Sequence, residues 1–327
     1  MKEKFTYADG ILEAYEYLLT NHPDFFIIGQ GLWSPWYVGS TMKDLDKKFG
    51  KERVIDCPVS ELATTGATVG AAICGYRPMI VHPRVDFMLL AVDQIVTQAA
   101  KWRHMFGGNS SAPATFRAII NRGGEQGAQH SQSLHSWFAH IPGLKVVMPY
   151  TAKDARDLMI SSVLADDPVM FIDDRWLYEK EEDYTPIEII DLKTVKPQKI
   201  FAGNDVTIVG ISYTSLLCEK AASKLAGNGF SCDVYDLRIL NPLNIDDIVE
   251  SVSRTGRLIV VDGDWSNCGM AAEIIASVIE RINVSLLKRS PVRLTLPDAP
   301  APTSKALEDS YYITEKNIID QVIKIVK

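Results

Sequence analysis

Several features that would quickly place the chain in a function class are missing. There is no apolar run of the roughly 18 residues that a membrane-spanning helix needs. The opening MKEKFTYADG has no apolar core of the kind a signal peptide carries. The five cysteines, at 57, 74, 218, 232 and 268, form no C-x-x-C pair. That excludes a disulfide frame or a zinc site and points to reduced thiols in a cytoplasmic protein. The net charge is -7, and Lys and Arg form no long basic face, so nucleic acid is not an expected partner. G-x-x-x-x-G-K-[ST], H-E-x-x-H and G-x-S-x-G are all absent. GQGLWS (29–34) begins like a dinucleotide fingerprint, but Ser34 stands where the third glycine belongs, and WSPW does not open a regular helix.

What is present is an ordinary globular composition, 46% hydrophobic and 23% charged over 327 residues, enough for two domains. Short, near-continuous apolar runs read as strands covered on both faces: 24–29, 77–81, 114–120, 144–149 and 169–173. Between them lie helical patterns. Residues 86–105 set Phe87, Leu90, Ala91, Ile95, Ala99 and Trp102 at helical spacing, and 151–164 repeats the pattern. The alternation breaks at about 179–200, a charged stretch with two prolines and no helical period. A second β/α series follows, with strands in 205–212, 232–238, 257–264 and 291–297 and helices between and after them. The expected fold is α/β: two doubly wound domains with mainly parallel sheets. The expected boundaries are 1–185, a linker at 186–200, and 201–327.

In open parallel sheets, ligands sit beyond the carboxyl ends of the strands. NRGGEQGAQHSQS (121–133) directly follows the strand at 114–120 and embeds His130 in a polar, glycine-rich loop. Glycine there permits positive φ and close backbone approach to a ligand. A tight connection whose histidine only bonds backbone fits the same residues. CPVSELATTGATVGAAICGYRP (57–78) is the second stretch of interest. Ser60 stands as an N-cap and Glu61 in the first helical turn, where a carboxylate also complements the helix dipole. Ala63, Gly66, Ala67, Gly70, Ala71 and Gly75 crowd that helix with small residues, which implies a very close neighbour.

Three blocks carry a family resemblance. VIDCPVSELATTGATVGAAICGYRP, AQHSQSLHSWFAHIPGLKVVMP (128–149) and DGDWSNCGMAAEI (262–274) resemble the beta subunits of thiamine-diphosphate-dependent 2-oxoacid dehydrogenases, in the transketolase superfamily. The likeness runs from about Tyr7 to Ile325. It implies a pyrimidine-binding domain followed by a transketolase C-terminal-like domain. It implies an enzyme that decarboxylates a 2-oxoacid and transfers the acyl or aldehyde fragment. In such enzymes the beta chain supplies the pyrimidine half of the cofactor site, and a separate alpha subunit holds the diphosphate and Mg²⁺ with a G-D-G…N motif. This chain lacks that motif, GDW (263–265) being the nearest stretch, and no metal ligand is expected in it. By resemblance, Glu61 is the carboxylate beside pyrimidine N1′ that helps N4′ take the C2 proton. Phe87 matches the aromatic that stacks on the pyrimidine, or else is core. His130 faces the substrate as proton donor or charge stabiliser. His140 and His135 rank below it. The implied assembly is an α₂β₂ heterotetramer with a β₂ dimer inside it, served by a lipoyl acyl-carrier component.

The chain departs from the family pattern at two places. Gln30 stands where a glutamate is usual, and Val81-His82-Pro83-Arg84 replaces an acidic-then-aromatic stretch. His82, Arg84 and Gln30 are therefore substrate-site candidates. Arg84 would favour a more polar or anionic substrate, or else pairs with Asp86 or the partner chain. The departures keep open a transketolase-like or carboligase half-enzyme acting on a sugar-type substrate. A non-catalytic partner subunit is the remaining alternative.

Overall fold

The computed structural model describes residues 3–327. The backbone divides into two compact units. One takes the chain up to Asn121 together with Trp137–Thr194, and the other takes Arg122–Ser136 together with Val195–Lys327.

The first unit carries strands β1 Lys4–Thr6, β2 Phe25–Gly29, β3 Val54–Asp56, β4 Arg77–His82, β5 Thr115–Ile120, β6 Lys145–Val147, β7 Val169–Asp174 and β8 Glu181–Asp183. β1 and β8 form an antiparallel pair. The other six form a wholly parallel run in the order β3-β2-β4-β5-β7-β6. Every residue of β5 and β7 is buried, the price of lying mid-sheet under helices on both faces. The helix Tyr7–Asn21 starts at a capping box, with Thr6 accepting from the Asp9 amide and Asp9 accepting from the Thr6 amide. It lies against the helix Ala152–Leu164. Gly10 makes that approach possible, because a Cβ there would stand 2.4 Å from the Ala152 carbonyl oxygen.

A fully buried ion pair crosses this sheet. Arg117 on β5 donates from Nε and Nη2 to both oxygens of Asp173 on β7, at 2.9 and 2.8 Å. Its Nη1 donates to Tyr15 Oη and Thr41 Oγ1, and Tyr178 donates to Asp173 at 2.6 Å. The pair is tolerable inside because its donors and acceptors are met.

The helix expected over 86–105 is broken in pitch. It runs as α over Val85–Met88, 3₁₀ over Leu89–Ala91, π over Asp93–Ala99 and α again over Ala100–Met105. Ala91, Ile95 and Ala99 are buried, whereas Phe87 and Leu90 turn outward. Changing pitch rotates the first part of the apolar stripe away from the core.

The second unit has a five-stranded sheet in the order β14-β13-β10-β11-β9. Its strands are β9 Gln198–Phe201, β10 Val206–Gly210, β11 Cys232–Asp236, β13 Leu258–Trp265 and β14 Val292–Leu296; a short strand β12 spans Ile239–Asn241. Only β9 runs antiparallel to its neighbour. It begins at Gln198, inside the stretch expected as linker, because its half-exposed edge position shows little apolar pattern. The helix Glu315–Val326 packs on Tyr213–Ala226, and Ile318, Val322 and Ile325 close the core over Val206, Ile208 and Val234.

Candidate functional site

Parallel strands end along one edge, and in the first unit that edge collects the predicted residues. Gln30 follows β2, His82 ends β4, and Arg84 and Phe87 follow it at once. Glu61 opens the helix Glu61–Ile73, which follows β3 and packs against β4.

The local structure explains the placements. Asp56, the last residue of β3, accepts hydrogen bonds from the Gly31 amide at 2.8 Å and the Trp33 amide at 3.3 Å. It thereby fixes the turn that carries Gln30, whose amide nitrogen donates to Tyr37 Oη at 3.0 Å. Ser60 occupies the N-cap position but makes no side-chain cap. The Glu61 carboxylate is half-buried and makes no hydrogen bond or ion pair among the described residues. Next to it, burial and the nearby Asp56 charge raise the Cys57 thiol above its ordinary range, so this sulfur stays protonated and a poor nucleophile.

His82 is buried, with Nε2 3.4 Å from Thr65 Oγ1. Thr65 lies one helical turn beyond Glu61, so His82 braces the helix that presents that carboxylate. Burial pushes its imidazole down to about 4, which makes it neutral at pH 7. Arg84 is half-exposed and donates from Nη1 to the Asn121 carbonyl at 3.2 Å, tying the end of β4 to the end of β5. Phe87 is 39% exposed rather than filling the core. The small residues of the helix are less enclosed than their pattern implies: a Cβ at Gly66 would meet Gln94 at 3.5 Å, and one at Gly70 would meet nothing within 4 Å.

His130 belongs to the second unit. It ends a 3₁₀ turn, Ala128–His130, and is half-buried. The glycines before it serve the path of the chain: Gly123, Gly124 and Gly127 all have positive φ, as does Glu125. Gly127 also has no room for a side chain, since a Cβ would stand 2.8 Å from Thr303 Oγ1.

Sequence reading undervalued His135. It is buried, with Nε2 2.9 Å from Asp262 Oδ1 and Nδ1 3.0 Å from Ser133 Oγ. Burial opposes its charge, but the Asp262 carboxylate outweighs that and leaves the imidazole above its ordinary value. The row Ser133–His135–Asp262 is not a hydrolytic triad, because its serine and histidine are both buried away from any substrate. No local motif announces it, because its partners stand 127 residues apart. Among the described residues, no cluster of three or more His, Cys, Asp or Glu is arranged to hold a metal, and no helix is long and apolar enough to cross a membrane.

Comparison with known proteins agrees with this layout. Residues 3–180 match the family described as the transketolase pyrimidine-binding domain, and residues 196–318 match the transketolase C-terminal domain. The beta subunit of acetoin:2,6-dichlorophenolindophenol oxidoreductase from Cupriavidus necator is 36% identical over 338 aligned positions, covering 100% of this chain and 99% of that protein. The mitochondrial pyruvate dehydrogenase E1 component subunit beta of Bos taurus is 33% identical over 324, covering 98% and 90%. A solved structure titled as a split-gene transketolase, inactive beta4 tetramer, shares the fold with a TM-score of 0.78 at 18% identity, covering 98% of each chain. A match spanning both domains and nearly the full length means that the chain belongs to the beta-subunit family of thiamine-diphosphate-dependent 2-oxoacid dehydrogenases, built on the transketolase pyrimidine-binding and C-terminal domains.

Proposed function

We propose that this chain supplies the pyrimidine side of a thiamine-diphosphate site and works with a separate alpha subunit that holds the diphosphate and Mg²⁺. The observation that carries the reading is the Glu61 carboxylate. It is half-buried, without a hydrogen-bonding partner among the described residues, and stands at a helix start beside the carboxyl edge of a parallel sheet. Such a group is suited to sharing a proton with a ring nitrogen. Phe87, just after β4 at the same sheet edge, is 39% exposed and is an aromatic suited to a flat heterocycle. These residues fit the cofactor. When bound, thiamine diphosphate supplies a carbon nucleophile and an electron sink.

The protein's own tasks then divide. Glu61 holds a proton at the pyrimidine N1′, Phe87 orients the ring, and His130 donates a proton to the substrate oxygen or stabilises its charge. Arg84 and Gln30, on neighbouring strand ends, set substrate polarity, with Arg84 favouring an anionic carboxylate. His82, neutral and buried, supports Thr65 from behind rather than meeting substrate. The reaction is decarboxylation of a 2-oxoacid with transfer of the remaining fragment to an acceptor such as a lipoyl domain. The assembly is an α₂β₂ heterotetramer around a β₂ dimer, in the cytoplasm.

A second reading rests on the acetoin oxidoreductase relative, at 36% identity against 33% for the bovine pyruvate dehydrogenase chain. In this reading the substrate is an α-hydroxyketone such as acetoin rather than a 2-oxoacid. One assay separates the readings. The chain copurified with its alpha subunit is offered a panel of 2-oxoacids and hydroxyketones, and CO₂ and aldehyde are measured. In either case Glu61→Gln lowers kcat by about 10²-fold or more, the scale of a lost proton-transfer group. A Glu61→Gln complex with full activity overturns the catalytic assignment.

A further inference from the structure

The segment that carries His130 is an arch pinned at both feet to the second unit. At the leading foot, Arg122 donates to the Gly263 carbonyl at 3.3 Å, the Gly123 amide to Tyr312 Oη at 3.3 Å, and the Glu125 amide to Glu308 Oε1 at 2.9 Å. At the trailing foot, His135 meets Asp262 at 2.9 Å, and Ser136 Oγ donates to Asp264 at 2.5 Å.

We infer that His135, through its ion pair with Asp262 on β13, is a positioning residue that fixes the arch presenting His130. The proposal rests on the role given to His130 above. The Asp262 carboxylate is a rigid anchor: Oδ2 accepts from the Ala271 amide at the start of the helix Met270–Ile279, and Oδ1 also accepts from the Asp264 amide at 3.2 Å. The charged groups facing His135 are Asp262 and Asp264 from β13 and Arg122 from the leading foot. Asp262 touches the ring directly, whereas burial and Asp262 raise the Asp264 carboxyl, so Asp262 is the charge that favours the protonated imidazole. With both ring nitrogens protonated, Nε2 donates to Asp262 and Nδ1 donates to Ser133 Oγ. Loss of that proton leaves buried carboxylate charge short of one counter-ion and weakens the trailing foot.

The sign of the pH effect follows. The folded pKa lies above the ordinary 6.5, so the tether is complete at and below 6.5 and is lost as pH rises through the folded value.

Two measurements on the complex with the alpha subunit test this. The first is amide-exchange protection of 122–136 against pH, corrected for intrinsic exchange. Wild type is expected to lose protection in the arch, and not in β13, as pH rises. His135→Gln is expected to show low, pH-independent protection. The second is turnover. His135→Gln is expected to lower kcat roughly tenfold, as misplacement of a reacting group does, with affinity for thiamine diphosphate unchanged. Should His135→Gln fail to fold, the wild-type protection profile alone decides. Arch protection that ignores pH in wild type, or survives in the variant, overturns the tether. Lost protection with unchanged kcat overturns the positioning role. A fully active His130→Ala complex instead overturns the reading of His130, while the protection data still report on the tether.

Discussion

His82 shows how much one buried residue can decide. Its ring sits at the end of β4 with Thr65 as its neighbour, and burial holds its pKa at about 4. The unfolded chain returns it to its ordinary value. Between those two values the unfolded state binds the extra proton, so stability falls as pH drops from about 6.5 to 4, by about 3 kcal/mol in all. Urea unfolding at pH 7 and pH 5 checks this, because His82→Gln is expected to remove most of the acid-side loss that this residue causes. His135 runs the other way, since a buried carboxylate keeps its proton on. Each is a single histidine beside an apolar residue, Val81 or Leu134, and nothing local tells the sign of its shift. The sign of each shift depends on which side chain the fold brings up.

At the scale of elements, the parallel sheet of the first unit is held by burial and by one charged crossbar. Arg117 reaches Asp173 with two bonds and is wholly enclosed. Arg117→Met would leave Asp173 ionised and buried, with Tyr178 as its remaining donor, and is expected to cost about 3–5 kcal/mol, read as a lower urea midpoint. Arg117→Met with Asp173→Leu is expected to recover much of that loss, because the cost is mainly the orphaned charge. The strands β2, β4, β5, β6 and β7 were legible as apolar runs, and the helix Ala152–Leu164 from its spacing. β3 and β8 were not, since VID is too short and EED too polar to read as apolar runs, so each is defined by its pairing. The helical path from Val85 to Met105 was legible as helical, but its π segment was not, because a change of pitch leaves the same residues apolar. Glu61 stood out in the sequence because the block around it carries the resemblance, whereas Phe87 lies outside the resembling blocks. Asp56 was missed, although it shapes the Gln30 turn, since an aspartate ending a strand has no signature of its own.

At the scale of the whole molecule, the chain has two transketolase-type domains and no G-D-G…N stretch to grip a diphosphate. Calorimetric titration of thiamine diphosphate with Mg²⁺ is therefore expected to show tight binding to the complex with the alpha subunit and weak or no binding to this chain alone. Tight binding to the chain alone would mean that it carries a diphosphate site of its own, and the half-site reading would fall. What the sequence determined by itself was the alternation of β and α, the two-domain plan and the blocks that carry family membership. These are encoded by periodicity and by contiguous motifs, and both survive in one dimension. Tertiary structure alone decided that 122–136 packs with the second unit, that Gly123, Gly124 and Gly127 serve backbone turns, and that His135 finds Asp262. Those outcomes depend on partners more than a hundred residues away, or on the sign of φ. Local pattern records neither.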